Sequence, residues 1–210
     1  MGKSVVEAYI EFLYRNLDED EIEEVFNIPP GKIVLRGSPE ELFNHRHVAL
    51  WHRFLVSELP NYLEKVVLIL PCSRTKPYSL SPTYRIALAT LRREGALGKI
   101  SILALSEPMV LVPLELDAYY PFANYELPPT ALSDRDREYM AQIISRVLTA
   151  SKNKVRRVVA ALPKLHEKVM RMAARGTSVS IDIVPYGRRA FESVAKAATL
   201  AAHLAKNYER

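Results

Sequence analysis

The stretch VVLILPCSRTKPYSLS, residues 66–81, decides the fold. Its first six residues are apolar on both faces and rich in β-branched types, the pattern of a strand buried on both sides in a largely parallel sheet. A loop follows in which Cys72, Ser73, Arg74, Thr75, Lys76 and Tyr78 fall within seven residues. Ser81 is a natural N-cap and Pro82 a natural first helical residue, so a helix starting there turns unpaired backbone N–H groups toward the loop. Those groups and Lys76 together suit an anion or oxyanion. An ordinary strand-to-helix loop with an incidental lysine would carry the same residues.

Reading outward, ISILAL (100–105), VRRVVAAL (155–162) and VSIDIVP (179–185) repeat the short apolar run. Strands are predicted at Val66–Leu70, Ile100–Leu105, Val158–Leu162 and Ile181–Val184, all in one sheet with helices on both faces. Helical candidates are Pro82–Glu94, Ser133–Thr149, Lys164–Arg175 and Arg188–Tyr208. Ser133 and Asp136 form a plausible capping box for the second. Alternating strand and helix imply right-handed crossovers and an α/β fold, a three-layer α/β/α sandwich with a mostly parallel sheet. The first sixty residues read as helices instead. Val6, Tyr9, Ile10, Leu13 and Leu17 share one stripe, DEDEIEEVF makes an acidic second helix, and a third runs from about Pro39 through ALWHRFLVSEL. The expected division is a helical N-terminal extension, 1–60, packed on an α/β core, 61–210.

Composition narrows the function classes. With 49% apolar residues a sizeable core can form, and no apolar run reaches the roughly 18 to 20 residues of a membrane helix. The N-terminus carries acidic residues where a signal peptide would not, so a cytoplasmic protein with no membrane role is expected. Cys72 is the only cysteine, which excludes an intrachain disulfide and a thiolate-rich zinc site. His45, His47 and His52 do not help, because on one helix 45 and 52 would share a face and 47 would not. No nucleotide-binding glycine motif, phosphate loop or serine elbow is present, and neither a metal nor a cofactor is expected. A single glutamine, Gln142, among abundant Arg and Glu leans toward a thermophilic source.

Charge is unevenly spread. Residues 1–60 hold 6 Lys and Arg against 11 Asp and Glu, and residues 151–210 hold 13 against 4. Arg156, Arg157, Lys164, Lys168, Arg171, Arg188 and Arg189 are therefore candidate RNA contacts, or simply the solvated faces of helices.

The order of residues in the loop is more specific than its composition. Pro71, Cys72, Lys76, Pro77, Tyr78 and Ser81 resemble the signature of the core domain of the archaeosine synthase family, the archaeal paralogues of tRNA-guanine transglycosylase. The resemblance continues through SEPMVLVPLELDAYYPFANYELPPT at Ser106, Pro108, Val112, Pro113, Glu115, Tyr120, Pro121, Tyr125, Pro128 and Thr130, and upstream through HVALWHRFL. Tyr84 stands where the family has histidine, Val110 where it usually has glycine, and Ala131 in place of another glycine. Neither a transglycosylase barrel nor an RNA-binding PUA domain is expected within 210 residues.

The resemblance implies a fold similar to uracil-DNA glycosylases and a role in tRNA modification, with tRNA or a nucleotide as partner and a separate modification subunit a possible second one. Family members convert the nitrile of 7-cyano-7-deazaguanosine toward the amidine of archaeosine. For that chemistry Cys72 is the candidate nucleophile or a small buried hydrophobe at a strand end. Lys76 is a candidate for steadying imidate charge or pairing with Glu107 or Glu115. Glu115, in the apolar run LVPLELD, is a candidate carboxylate needing a buried partner. Arg74, Tyr78, Ser81 and Tyr125 are candidate substrate contacts. Cys72, Lys76, Tyr78, Ser81 and Glu115 are expected to converge at the carboxyl edge of the sheet. A nucleotide- or RNA-binding module without chemistry is the alternative, and a base-binding enzyme of the glycosylase type a third, on fold analogy alone.

Overall fold

The computed structural model describes residues 3–208. In chain order its regular elements are helices α1 (Val5–Tyr14), α2 (Glu19–Asn27), α3 (Pro39–Phe43) and α4 (Arg46–Ser57), strand β1 (Val66–Pro71), helix α5 (Pro82–Arg93), strands β2 (Ser101–Ser106) and β3 (Val110–Pro113), helix α6 (Asp134–Ala150), strand β4 (Arg157–Ala161), helix α7 (Lys164–Ala174), strand β5 (Ser180–Val184) and helix α8 (Ala190–Asn207). The five strands form one sheet in the order β3-β2-β1-β4-β5. Each predicted strand is present in it. The fifth, β3, runs antiparallel to β2 and was not expected from sequence, because VLVP is too short to show a period.

Strand β1 is central, parallel to both β2 and β4, and every residue in it is buried. Moving from β1 to β2 goes one way across the sheet and from β4 to β5 the other. Right-handed crossovers therefore put α5 and α7 on opposite faces. Helix α8 joins α5, and α6 joins α7, closing both faces. Buried Ala197, Ala198, Ala201, Ala202 and Ala205 give α8 a small-residue side that settles closely onto α5 and the sheet.

At the N-terminal end, capping boxes start the first three helices, Ser4 with Glu7, Asp18 with Glu21 and Ser38 with Glu41. The single helix expected from Pro39 is two. Asn44 ends α3 and His45 caps α4, its ring nitrogen accepting from the His47 N–H at 3.2 Å. Helix α4 then pins the β2–β3 turn: Trp51 Nε1 donates to the Met109 carbonyl and His52 Nε2 meets that of Pro108, each at 2.8 Å.

The residue that opens β3 directly after that turn is strained. Val110 has φ of 66°, a left-handed conformation that a β-branched side chain tolerates at a cost of roughly 1–2 kcal/mol, yet its side chain is fully buried. It is the position where the resemblance implied a glycine in the family. Burial offsets the strain, so the two replacements of Val110 should rank against size. Val110→Ala loses packing and keeps most of the strain, costing about 2 kcal/mol, whereas Val110→Gly relieves it and should be more stable than the alanine variant by about 1 kcal/mol. Urea unfolding of both checks this; an alanine variant more stable than the glycine one would show Val110 to be unstrained.

Candidate functional site

The strand order reverses at β1, so the crevice beyond the carboxyl ends of β1 and β4 is where an open α/β sheet takes ligands. A cleft of about 820 Å³ lies there. Its lining includes Cys72, Arg74 and Lys76 from the loop after β1, Pro163 and His166 from the start of α7, and Tyr125. The rim is a strap. Residues 29–36 run along residues 123–126, with Val34 and Leu35 N–H both donating to the Asn124 carbonyl and the Asn124 side-chain amide donating to the carbonyls of Pro29 and Lys32.

On the floor, three chemically different groups meet. The Cys72 thiol, half-buried, donates to Glu107 Oε2 at 3.7 Å. The other carboxylate oxygen, Oε1, lies 2.5 Å from His166 Nε2, with both side chains almost wholly buried. His166 Nδ1 has no hydrogen-bond partner. Glu107 arrives there because β2 ends one residue earlier, and His166 because α7 begins two residues earlier. Neither carried a sequence signal. Glu107 is the unmarked middle residue of a Ser-x-Pro pattern, weighed only as a salt-bridge partner for Lys76, and His166 sits in an unremarkable amphipathic helix.

Burial, and next the Glu107 charge, push the Cys72 thiol up to about 12. Lys76 is pulled down by burial, with Cys72 and the carboxylates acting the other way. Its ammonium donates to the Tyr125 carbonyl at 2.6 Å and stands 3.7 Å from the centre of the Tyr125 ring. Behind that ring the hydroxyls of Tyr78, Ser106 and Tyr125 form one buried hydrogen-bonded group. Burial holds both phenols well above their ordinary range, so they stay neutral.

Of the sequence-predicted residues, Cys72, Lys76, Arg74 and Tyr125 line the cleft. Tyr78 is fully buried behind it, and Ser81 caps α5, accepting from the Tyr84 N–H. Glu115 does not converge with them. Strand β3 doubles back, placing Pro113 beside Leu103 halfway down β2, and Glu115 follows it away from the cleft to an exposed position, where its carboxylate is solvated and needs no buried partner. It is also not the partner of Lys76.

The basic candidates are split by the same geometry. Arg156 and Arg157 precede or open β4 at the amino edge, Arg157 pairing with Asp182, whereas Lys164, Arg188 and Arg189 follow β4 or β5 at the cleft edge. Lys168 and Arg171 pair with Asp134 and Glu167, and Arg189 with Glu192. The seven do not form one patch. The histidine spacing argument also changes, since His45 lies outside α4. His45 and His47 rings are 5.2 Å apart, and His52 turns into the core, where burial lowers it to about 4.

Tyr84, where the resemblance implied a histidine, donates to the Pro71 carbonyl at 3.1 Å and is fully buried. It brings no group to the cleft.

A thiol displaced upward from 9.0 to about 12 has about a thousandth of the usual thiolate at neutral pH. In chelator-treated protein, iodoacetamide should therefore modify Cys72 far more slowly than free cysteine at pH 7. Glu107→Gln removes a charge that raises the thiol and should speed the reaction severalfold. Alkylation as fast as free cysteine would contradict the buried thiol.

Residues 48–201 match the family described as "Domain of unknown function (DUF5591)". Over 130 residues, 61% of this chain, it is 25% identical to the archaeosine synthase of Haloferax volcanii, and over 105 residues, 47%, it is 31% identical to archaeosine synthase subunit alpha of Thermoplasma acidophilum. It spans only 21% and 19% of those relatives' own lengths. The crystal structure of AF0587, a protein of unknown function, is 18% identical and superimposes with a TM-score of 0.49 over 65% of this chain and 44% of that one. The match covering residues 48–201 takes in most of the chain, which therefore belongs to the DUF5591 family and is related in that domain to archaeosine synthases.

Proposed function

We propose that this chain serves archaeal tRNA modification by taking a 7-deazaguanine nucleotide into the cleft after β1, with its nitrile over Cys72. The observation that carries the reading is a single thiol on the floor of a nucleotide-sized cleft, with a carboxylate–imidazole pair against it and an ammonium beside it. The names of the two curated relatives support it, and "subunit alpha" supports a second subunit as partner.

In the step we envisage, Sγ bonds to the nitrile carbon while the thiol proton passes to Glu107. A proton returns to the nitrile nitrogen, so the thioimidate contains every atom of both reactants. A primary amine then adds to the same carbon, the C–S bond breaks, and Cys72 recovers a proton as the amidine leaves. Lys76 faces the developing imidate charge. Glu107, and not the expected Glu115, is the carboxylate beside Cys72. A second reading, nucleotide binding without chemistry, is favoured by Tyr84, which supplies no acid or base where the resemblance implied a histidine.

We also take the sheet to be of the uracil-DNA glycosylase kind, with residues 1–60 an extension of a core at 61–210; the central β1 and the cleft at its carboxyl end support this. No helix among the described residues is long and apolar enough to cross a membrane.

Incubation of chelator-treated protein with 7-cyano-7-deazaguanosine should add the full mass of the nucleoside to the chain, on Cys72 alone. Cys72→Ser should abolish the adduct, and Lys76→Met should slow it by about tenfold or more. Reversible binding without a mass change would select the second reading, and no binding at all would sink both.

For RNA, contacts belong to the cleft edge. Reversing Arg74, Lys164 and Arg188 together should weaken tRNA binding strongly and flatten its salt dependence, the slope falling by up to about 0.7 for each phosphate no longer neutralised. Reversing Arg156 and Arg157 should change little. Equal weakening by both sets, in filter binding across a salt series, would refute this placement.

A further inference from the structure

We propose that Cys72, Glu107 and His166 form a site for one thiophilic divalent cation, of which Zn²⁺ is the type. This goes beyond the nitrile reading and does not depend on it. The Cys72 Sγ, a Glu107 carboxylate oxygen and a His166 ring nitrogen all lie within 4.8 Å of one another, on three separate segments of the chain. A tetrahedral zinc ion holds such donors at about 2.0–2.3 Å, which places them about 3.3–3.7 Å apart, so a side-chain adjustment of about 1 Å completes the triangle.

The donor set matches the chemistry of the ion. Thiolate, imidazole and carboxylate together suit zinc, and a thiolate with a carboxylate neutralises two positive charges, leaving a net-neutral centre where buried charge is costly. Without an ion, Glu107 is a buried carboxylate whose neighbours are a thiol and a histidine. The imidazole is also free to present a lone pair. Because Nδ1 has no partner, no hydrogen bond from that side fixes the tautomer, and the ring proton can sit on Nδ1 while Nε2 coordinates. Cys72 and His166 both line the cleft, so an ion held between them would be within reach of an exchangeable ligand entering from it. Binding releases the thiol proton. The metal-loaded and free-thiol forms are then exclusive states of one site, and the nitrile step belongs to the metal-free form.

Cobalt titration of the chelator-treated chain tests this, because Co²⁺ takes zinc sites and reports its ligands by absorption. One Co²⁺ per chain should bind with a thiolate-to-cobalt charge-transfer band and the strong visible bands of a tetrahedral centre. Cys72→Ser, a mild change at a half-buried position, should abolish the charge-transfer band, and Glu107→Gln should weaken binding by about tenfold or more. On the unaltered protein, which avoids any folding defect of a buried variant, one equivalent of Zn²⁺ should shield Cys72 from alkylation. No stoichiometric binding at micromolar cobalt, or binding whose spectrum is unchanged in Cys72→Ser, would overturn the proposal. Adduct formation with the nitrile nucleoside is measured separately in chelator, so a failed metal site leaves that reading standing and a failed adduct leaves the metal site standing.

Discussion

Burying β1 on both faces leaves the site no freedom about where its chemistry can stand. All six residues of Val66–Pro71 are out of solvent, flanked by parallel β2 and β4, so no polar side chain can be accommodated along the strand itself. Functional groups can only appear where these strands end. The loop after β1, the turn after β2 and the start of α7 after β4 therefore deliver Cys72, Glu107 and His166 to one place from positions 35 and 59 residues apart along the chain.

Holding a buried carboxylate and imidazole there requires that the segments bearing them cannot drift. Helix α4 supplies one anchor through Trp51 and His52, whose ring nitrogens hold the carbonyls of the β2–β3 turn. The buried hydroxyls of Tyr78, Ser106 and Tyr125 supply another, tying the β1 loop, the end of β2 and the cleft wall together. The Glu107–His166 pair that these anchors steady is itself only partly satisfied, with His166 Nδ1 unpartnered, and such a pair costs more than an apolar core would. Its placement beneath a cleft, with one imidazole nitrogen left over, accords with a site built to meet something from outside.

The strap of residues 29–36 explains why the helical N-terminal residues matter to a pocket formed by the sheet. Asn124, fully buried, donates its side-chain amide to two carbonyls of that strap, and Gly31 and Ile33 complete the cleft rim. Charge follows a similar division. Strands running parallel begin at one edge and end at the other, so a basic residue before β4 and one after it lie at opposite ends of the sheet, however close they are in sequence.

Local chemistry in the sequence determined the central strand, the loop after it, the N-cap at Ser81, the capping box at Ser133 and the helices between the strands, because each rests on patterns within one or two turns of chain. Cys72, Lys76 and Arg74 were legible for the same reason, lying together in one loop. Tertiary structure alone decided which carboxylate joins them. Glu107 and Glu115 are eight residues apart and both border apolar runs, and what separates them is the reversal at β3, a four-residue strand with no periodic signal. It decided His166 as well, since a histidine on an amphipathic helix becomes a partner of Glu107 only when α7 is packed on the sheet. Periodicity records which face of an element is buried, but which buried groups meet is set by strand order and direction, and those follow from packing across the whole chain.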